Sequence, residues 1–307
     1  MPSHKIGTLG RPELAPIWEI VESLGDIGRI GGQESNPIIP VGTGEDTDLY
    51  IREIGNVLYE AGDTGAEYKT WYTGYNSGSA TDEKIHYAHS SDGVTWTKEG
   101  VVIAQRAEDP YIVKVSGTYY LYAEDKANQG ADGKVRRWSF SSPTGTYTDD
   151  GQITGAGDDV ASPVVWYEDA VWYLFYELWP ATPSNVRLAT SEDGLAWTND
   201  VSNPVVDSDD LSWETGAIVP DDIVKIGSTY YLFYHAYDDP TFKEGMATST
   251  NLTDWTDSNK NPLVTDEGAI AWISTASYYD DGTKTFLYYS QDGQGIYKGY
   301  PQKLRWE

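Results

Sequence analysis

The chain has no cysteine among its 307 residues. Disulfides, thiolate metal sites and thiol nucleophiles are thereby excluded. Basic residues are scarce: 21 Lys and Arg stand against 48 Asp and Glu, a net charge of −27. Nucleic acids and anionic lipids both require basic patches, so neither is expected as a partner. The acidic excess is spread along the chain rather than gathered in a tail. Self-repulsion of that size is tolerated in concentrated salt, where the Debye length shrinks to about 3 Å at 1 M. The composition therefore points to a halophilic setting. No apolar run is long enough to span a bilayer, so membrane insertion is not expected. The opening residues, Met1-Pro-Ser-His-Lys-Ile-Gly7, carry neither an apolar export core nor a twin-arginine pair. A Gly-rich phosphate loop, a serine nucleophile elbow and a histidine cluster with zinc spacing are also missing.

What the chain does have is repetition. Thr229-Tyr-Tyr-Leu-Phe-Tyr-His235 is matched by Tyr68-Lys-Thr-Trp-Tyr72, Thr118-Tyr-Tyr-Leu-Tyr122, Val171-Trp-Tyr-Leu-Phe-Tyr176 and Thr283-Lys-Thr-Phe-Leu-Tyr-Tyr289. With Tyr72, Tyr122, Tyr176, Tyr234 and Tyr289 as register marks, the steps are 50, 54, 58 and 55 residues. A period of this length signals a repeat architecture. Each copy is a short aromatic and aliphatic run bounded by Gly, Asp or Ser, which reads as a strand. The bias toward 24 Tyr and 12 Trp over 5 Phe suits sheets whose rings each keep one polar edge.

Within a repeat, a first strand such as Tyr111–Lys114 or Asp222–Lys225 leads through a hairpin, Val115-Ser-Gly-Thr118 or Ile226-Gly-Ser-Thr229, into the aromatic strand. A short third strand follows, then Ser90-Ser-Asp-Gly-Val-Thr-Trp96, echoed by Ser191–Trp197 and Ser249–Trp255. Asp-Gly supplies a tight turn with positive φ, and the Trp opens an outer strand that covers a neighbour. Four antiparallel strands repeated five times predict an all-β, five-bladed β-propeller. The blades fall at about 40–103, 104–155, 156–206, 207–264 and 265–307, in a single domain over 36–307. Asn36-Pro-Ile-Ile39 matches Asn203-Pro-Val-Val206 and Asn261-Pro-Leu-Val264, which close repeats. The fifth repeat lacks its outer strand. Part of the N-terminal segment 1–35, with residues 17–39 packed beside 284–300, is therefore expected to complete that blade and close the ring.

In such a ring the starts of the innermost strands and the loops after the second strands converge on one funnel, the usual ligand site. The strand starts offer Glu53, Glu108-Asp109-Pro110, Asp158-Asp159, Trp213-Glu214 and Trp272. The second strands end at Tyr75, Glu124-Asp125, Glu177 with Trp179, His235 with Tyr237, and Gln291-Asp292. Carboxylates and aromatic platforms in one funnel suit sugars, whose rings stack on Trp and whose hydroxyls bond to carboxylates. In a chain this acidic a single carboxylate carries little weight. Asp109 stands out, because Pro follows it at a strand start. Glu108, Asp159, Glu177, Trp179, Trp213, His235, Tyr237 and Trp272 are the candidate ligand contacts.

Ala107-Glu-Asp-Pro-Tyr-Ile112, the Ser-x-Asp-Gly-x-x-Trp element and the Gly-x-Tyr-Tyr-Leu-x-Tyr strand resemble the five-bladed propellers of arabinanases, β-xylosidases, invertases, levansucrases and related mannoside phosphorylases. The resemblance covers residues from about 36 to 300. It implies a carboxylate base or nucleophile on the first blade, an Asp before Pro on the second and a Glu two before Pro on the third, the carboxylate set that glycoside hydrolysis needs. Asp109 matches the second position. Glu53 lies near the first, with Asp48 further upstream. The third is Ala161, two before Pro163, which cannot donate a proton. Glu214, Asp158, Asp159 and Glu177 are substitutes from elsewhere, and Asp109, Glu53 and Glu214 form the candidate catalytic set. The resemblance also implies that a His near the channel can help hold an ion, which makes Ca²⁺ an option at His235. The blander expectation is a histidine satisfied by a neighbouring hydroxyl. The residues indicate no cofactor beyond that ion.

Three functions remain open. The Ala161 gap favours a non-catalytic propeller that binds a cell-surface glycan, for instance on a virion or tail of a haloarchaeal virus, with homo-oligomer or virion assembly as partners. The alternative is an active glycoside hydrolase or an oligosaccharide phosphorylase in a halophile's cytoplasm, with Arg52, Arg106 and Lys126 as cations for phosphate. A third is a structural module for protein contacts.

Overall fold

A computed structural model describes residues 37–262 apart from short breaks at 45, 77–80, 129–133, 180, 182–183, 209–213, 215, 239–240 and 259–260. Beyond them it describes the strands at 18–19, 264–265, 273–280, 285–291, 295–299 and 305–306. Among the described residues no helix is long and apolar enough to cross a membrane.

The fold is an all-β propeller built of four-stranded antiparallel blades. The first sheet runs Tyr50–Ile54, Tyr68–Tyr75, Lys84–Ser90 and Trp96–Ile103, and Leu58–Tyr59 also pairs with its second strand. The second contains Glu108–Val115, Thr118–Glu124, Val135–Phe140 and Thr148–Gln152. The third contains Val160–Glu168, Val171–Leu178, Arg187–Ser191 and Thr198–Asn199. The fourth contains Ala217–Ile226, Thr229–Asp238, Thr241–Ser249 and Thr256–Asp257, with Val264–Thr265 beside its third strand. In the fifth, Ile273–Asp280, Thr285–Gln291 and Gly295–Gly299 are followed by Ile39–Pro40.

The local chemistry follows the motifs. In the Ser-x-Asp-Gly turns, Ser90 Oγ accepts from the backbone N of Gly93 at 2.9 Å, and Asp92 Oδ1 accepts from Val94 and Thr95 at 2.8 and 2.7 Å. Ser191 and Asp193 repeat the pattern, and Ser249 with Asn251 repeats it again. The fourth turn residue is left-handed, with φ of 67° at Gly93, 74° at Gly194 and 69° at Leu252. At Gly194 a Cβ would lie 2.5 Å from Tyr122 Oη, so the close approach of the second sheet also demands glycine. Trp197 meets Tyr122 edge-on and Trp255 meets Phe175 edge-on, so each tryptophan covers the preceding sheet. The repeated Asn of Asn-Pro-x-Val acts as a pseudo-strand. Asn203 bonds both N and O of Leu188 through its amide, and Asn261 does the same to Met246.

The core lies between sheets. Trp172, Leu174, Trp197, Leu232 and Tyr234 share one cluster with residues of the second sheet, and Trp71, Tyr87, Leu121 and Trp138 share another. Fully buried Ile39 packs in a cluster with Ile51, Ile54, Tyr72 and Ala88 of the first sheet.

Two details depart from the expected register. Tyr72, Tyr122 and Tyr289 pair with the inner strand at Ile54, Tyr111 and Ala276, but the third and fourth sheets use Phe175 and Phe233 at that place. Tyr176 and Tyr234 are therefore one residue late as marks. A one-residue slip changes the face that a side chain occupies. At the N-terminus, Ile39–Pro40 pairs with Gly295–Ile296, inside the predicted strip. Trp18–Glu19 instead pairs with Arg305–Trp306, beyond residue 300. Residues 20–36 lie outside the described residues.

Candidate functional site

Every inner hairpin carries the same irregularity. Two residues of the inner strand oppose one residue of the second: Arg52-Glu53, Asp109-Pro110, Ser162-Pro163, Pro220-Asp221 and Ser274-Thr275. Such a bulge bends the strand and re-aims its side chains. Asp109 and Ser162 hold left-handed φ of 52° and 47°, a strain that is tolerated where surrounding structure fixes it. Just beyond the bulge, the second strand presents Gly74, Glu124, Glu177, His235 and Gln291 in equivalent places. Four of these five are the variable ends expected from the sequence. Tyr75 is one residue off; it pairs with Tyr50 and stacks on it at 5.2 Å.

Glu124, Ser162 and Glu177 meet beside Asp109. Ser162 Oγ lies 2.9 Å from Asp109 Oδ2 and 3.3 Å from Glu177 Oε1, so one hydroxyl links the two carboxyl groups. Ser184 Oγ donates to Glu177 Oε2 at 2.8 Å. The Ser162 backbone N donates to Glu124 Oε1 at 3.0 Å. Arg52 spans Glu53 at 2.6 Å and Glu108 at 2.9 Å, and Lys126 reaches Glu108 at 2.5 Å. Glu53, Glu108, Glu124 and Glu177 are buried, while Asp109 is partly exposed.

Burial raises the Glu177 carboxyl above the usual carboxylate range, against the hydroxyl of Ser184. Burial also raises Asp109, with the Glu108 charge adding to it. Glu53 and Glu124 are raised well above that range by burial; Arg52 opposes the shift at Glu53, and the Asp109 charge reinforces it at Glu124. Clustered buried carboxyls with raised proton affinity are the raw material of acid–base chemistry.

The other predicted residues scatter. Glu214 is buried, but its Oε1 lies 2.7 Å from Tyr234 Oη, which also meets Asp257 of the outer strand at 3.0 Å. Its carboxylate is thus drawn toward the blade's outer side through Tyr234. Asp48 bonds Tyr72 Oη at 2.8 Å and Lys98 at 2.9 Å. Asp159 binds Trp179 through its backbone carbonyl, and the Trp179 ring is 56% exposed. Asp158 pairs with Lys134 and Arg106 with Glu83. His235 Nδ1 bonds Asp221 Oδ1 at 2.8 Å, not a hydroxyl. Tyr237 lies on the fourth sheet's second strand. Trp213, Trp272 and Asp292 fall outside the described residues.

Sequence reasoning missed Asp221, Glu244 and the linking Ser162. Asp221 follows Pro220 rather than preceding it, so a search for Asp-Pro passed over it. Glu244 sits on the third strand opposite His235, a pairing that only the hairpin creates.

No known sequence family matches the chain, and no curated protein does. Solved structures match the fold. One is a β-1,2-mannobiose phosphorylase from Listeria innocua in complex with β-1,2-mannobiose, with a TM-score of 0.68 at 11% identity, covering 87% of this chain and 95% of that one. A thermostable family-43 glycoside hydrolase gives 0.65 at 16%, covering 84% and 91%. A structure from work on family 130, in which mannoside phosphorylases are accompanied by glycoside hydrolases that target β-1,2-mannosidic linkages in Candida mannan, gives 0.64 at 16%, covering 97% and 98%. The chain is similar to these in its glycosidase-like propeller.

Proposed function

We propose that this chain cleaves a glycosidic bond of an oligosaccharide bound in the central funnel. The observation that carries the reading is the position of Glu177. It stands directly opposite Ala161, so its carboxyl enters from the neighbouring strand near the place where the resemblance calls for an acid. Its burial and raised proton affinity suit it to protonate the leaving oxygen. Asp109, tied to Glu177 through Ser162, orients the sugar and favours the charge that develops at the reacting carbon. Glu53, where Arg52 opposes the effect of burial, is the second carboxyl group of the pair that such cleavage needs. Structural neighbours described with β-1,2-mannobiose and with Candida mannan support a saccharide as the substrate class.

The ring belongs to the same proposal. The five sheets are five blades of a single domain, and Ile39–Pro40 supplies the last outer strand. The contact of Ile39 with Ile51 and Tyr72 supports closure onto the first blade.

The test is a panel of arabinan, xylan, fructan and β-mannosides in molar salt, with and without inorganic phosphate, alongside a glycan array. Product release from one class is expected. Array binding without turnover in any condition would make the funnel a glycan-binding site only, and neither binding nor turnover would remove the saccharide reading.

A further inference from the structure

We infer that Asp221, His235 and Glu244 form a site for one divalent transition-metal ion of the Zn²⁺ or Mn²⁺ class. All three are buried, and one ligand atom from each lies within 4.8 Å of the others. The backbone builds this convergence. His235 and Glu244 are paired across adjacent antiparallel strands, which places their side chains on one face. Asp221 is the bulge residue of the inner strand, and the bulge turns its side chain toward that pair.

Two features point to a cation rather than an accidental acidic cluster. Asp221 Oδ2 is buried and meets no donor group, while Glu244 stands against Asp221 carboxyl to carboxyl. A buried, unpartnered carboxylate oxygen is costly unless a proton or a cation stands beside it. The imidazole is also prepared as a ligand. Its Nδ1 stands 2.8 Å from Asp221 Oδ1, a separation at which both atoms can face one ion. Two carboxylates and a neutral imidazole carry a charge that one dication cancels.

The ligand set decides the class. Ca²⁺ and Mg²⁺ are held almost wholly by oxygens, and Ca²⁺ takes six to eight of them. A set of two carboxylates and one imidazole suits Zn²⁺ or Mn²⁺, at bonds of about 2.0–2.2 Å for zinc. Donors at that radius lie within about 4.4 Å of each other, so a slight inward turn of these side chains completes the site.

The inner strand that carries Asp221 packs against the third-sheet strands that carry Ser162 and Glu177, so the ion would sit beside the funnel carboxylates. Calorimetric titration of the chelator-treated full chain with ZnCl₂, MnCl₂ and CaCl₂ tests the inference, together with melting curves. One equivalent of Zn²⁺ or Mn²⁺ is expected, at least tenfold tighter than Ca²⁺, with a rise in melting temperature. His235→Ala is expected to weaken binding at least tenfold. Glu244→Gln, which preserves shape, is expected to do the same while the chain stays folded. Absence of stoichiometric Zn²⁺ or Mn²⁺ binding, preference for Ca²⁺, or unchanged affinity in a folded Glu244→Gln chain would overturn it. Metal binding without saccharide turnover leaves this inference standing and removes only the catalytic proposal.

Discussion

Ala161 and Glu177 face each other across the inner hairpin of the third sheet. Ser162 follows Ala161, and its hydroxyl lies within donating reach of either Asp109 or Glu177. A hydroxyl donated to a carboxylate favours its ionised form, so Ser162→Ala raises the proton affinity of both groups. A hydrogen bond worth about 1 kcal/mol corresponds to roughly 0.7 pH units. The pH–rate profile of Ser162→Ala should move to higher pH by about that amount, with kcat reduced about tenfold or less. An unmoved profile would show that the hydroxyl does not govern these carboxyls.

The sheets are clasped in pairs by a repeated trio. Glu60 takes Lys114 and Tyr119 of the second sheet, and Glu168 takes Lys225 and Tyr230 of the fourth. Lys114 and Lys225 also sit over the Tyr119 and Tyr230 rings, at 4.2 and 4.5 Å from their centroids. Tyr119→Phe and Tyr230→Phe should each cost about 1 kcal/mol, read from the denaturant midpoint, without altering saccharide or metal binding. A change in either binding would mean that the clasps also shape the funnel.

Stability should pass through a maximum on the acid side of neutrality. Glu53, Asp109, Glu124, Glu177 and Asp221 have raised folded proton affinities, chiefly through burial. Their contribution is complete below the ordinary carboxylate range of about 4 and is lost as pH rises through the folded values. Asp92, Asp125 and Asp193 are lowered, Asp92 and Asp193 mainly by backbone N–H donors and Asp125 by Arg136 against burial. Their contribution is present above that range and lost as pH falls. With chelator present, the melting temperature should therefore be lower at pH 8.5 than at pH 6, and Glu53→Gln should reduce that difference. A melting temperature that rises steadily to pH 8.5 would contradict the raised values.

Net charge sets a salt dependence. With −27 on the chain, screening from 0.1 to 2 M KCl should raise the melting temperature. A flat or falling curve would remove the halophilic expectation.

The fold was legible because each motif does one local job wherever it recurs. Ser90, Ser191 and Ser249 build the same turn, and Asn203 and Asn261 make the same pseudo-strand contact. The site was legible only in part. Glu124, Glu177 and His235 emerged because they end a repeated strand, where copies diverge. Asp221 did not, since a bulge decides its direction and a bulge leaves no fixed residue pattern: Asp-Pro in one sheet becomes Pro-Asp in another. At Glu214 the acidity was visible in the sequence and its partner, Tyr234, was not.

The central claim is that Glu177 protonates the leaving group. Comparing Glu177→Gln with the unaltered chain on two substrates tests it: the natural glycoside, and an aryl glycoside whose leaving group departs without a proton. Losing a general acid should lower kcat/KM about 10²–10⁴-fold on the natural glycoside and far less on the activated one. Equal losses on both substrates, or none on either, would contradict the account.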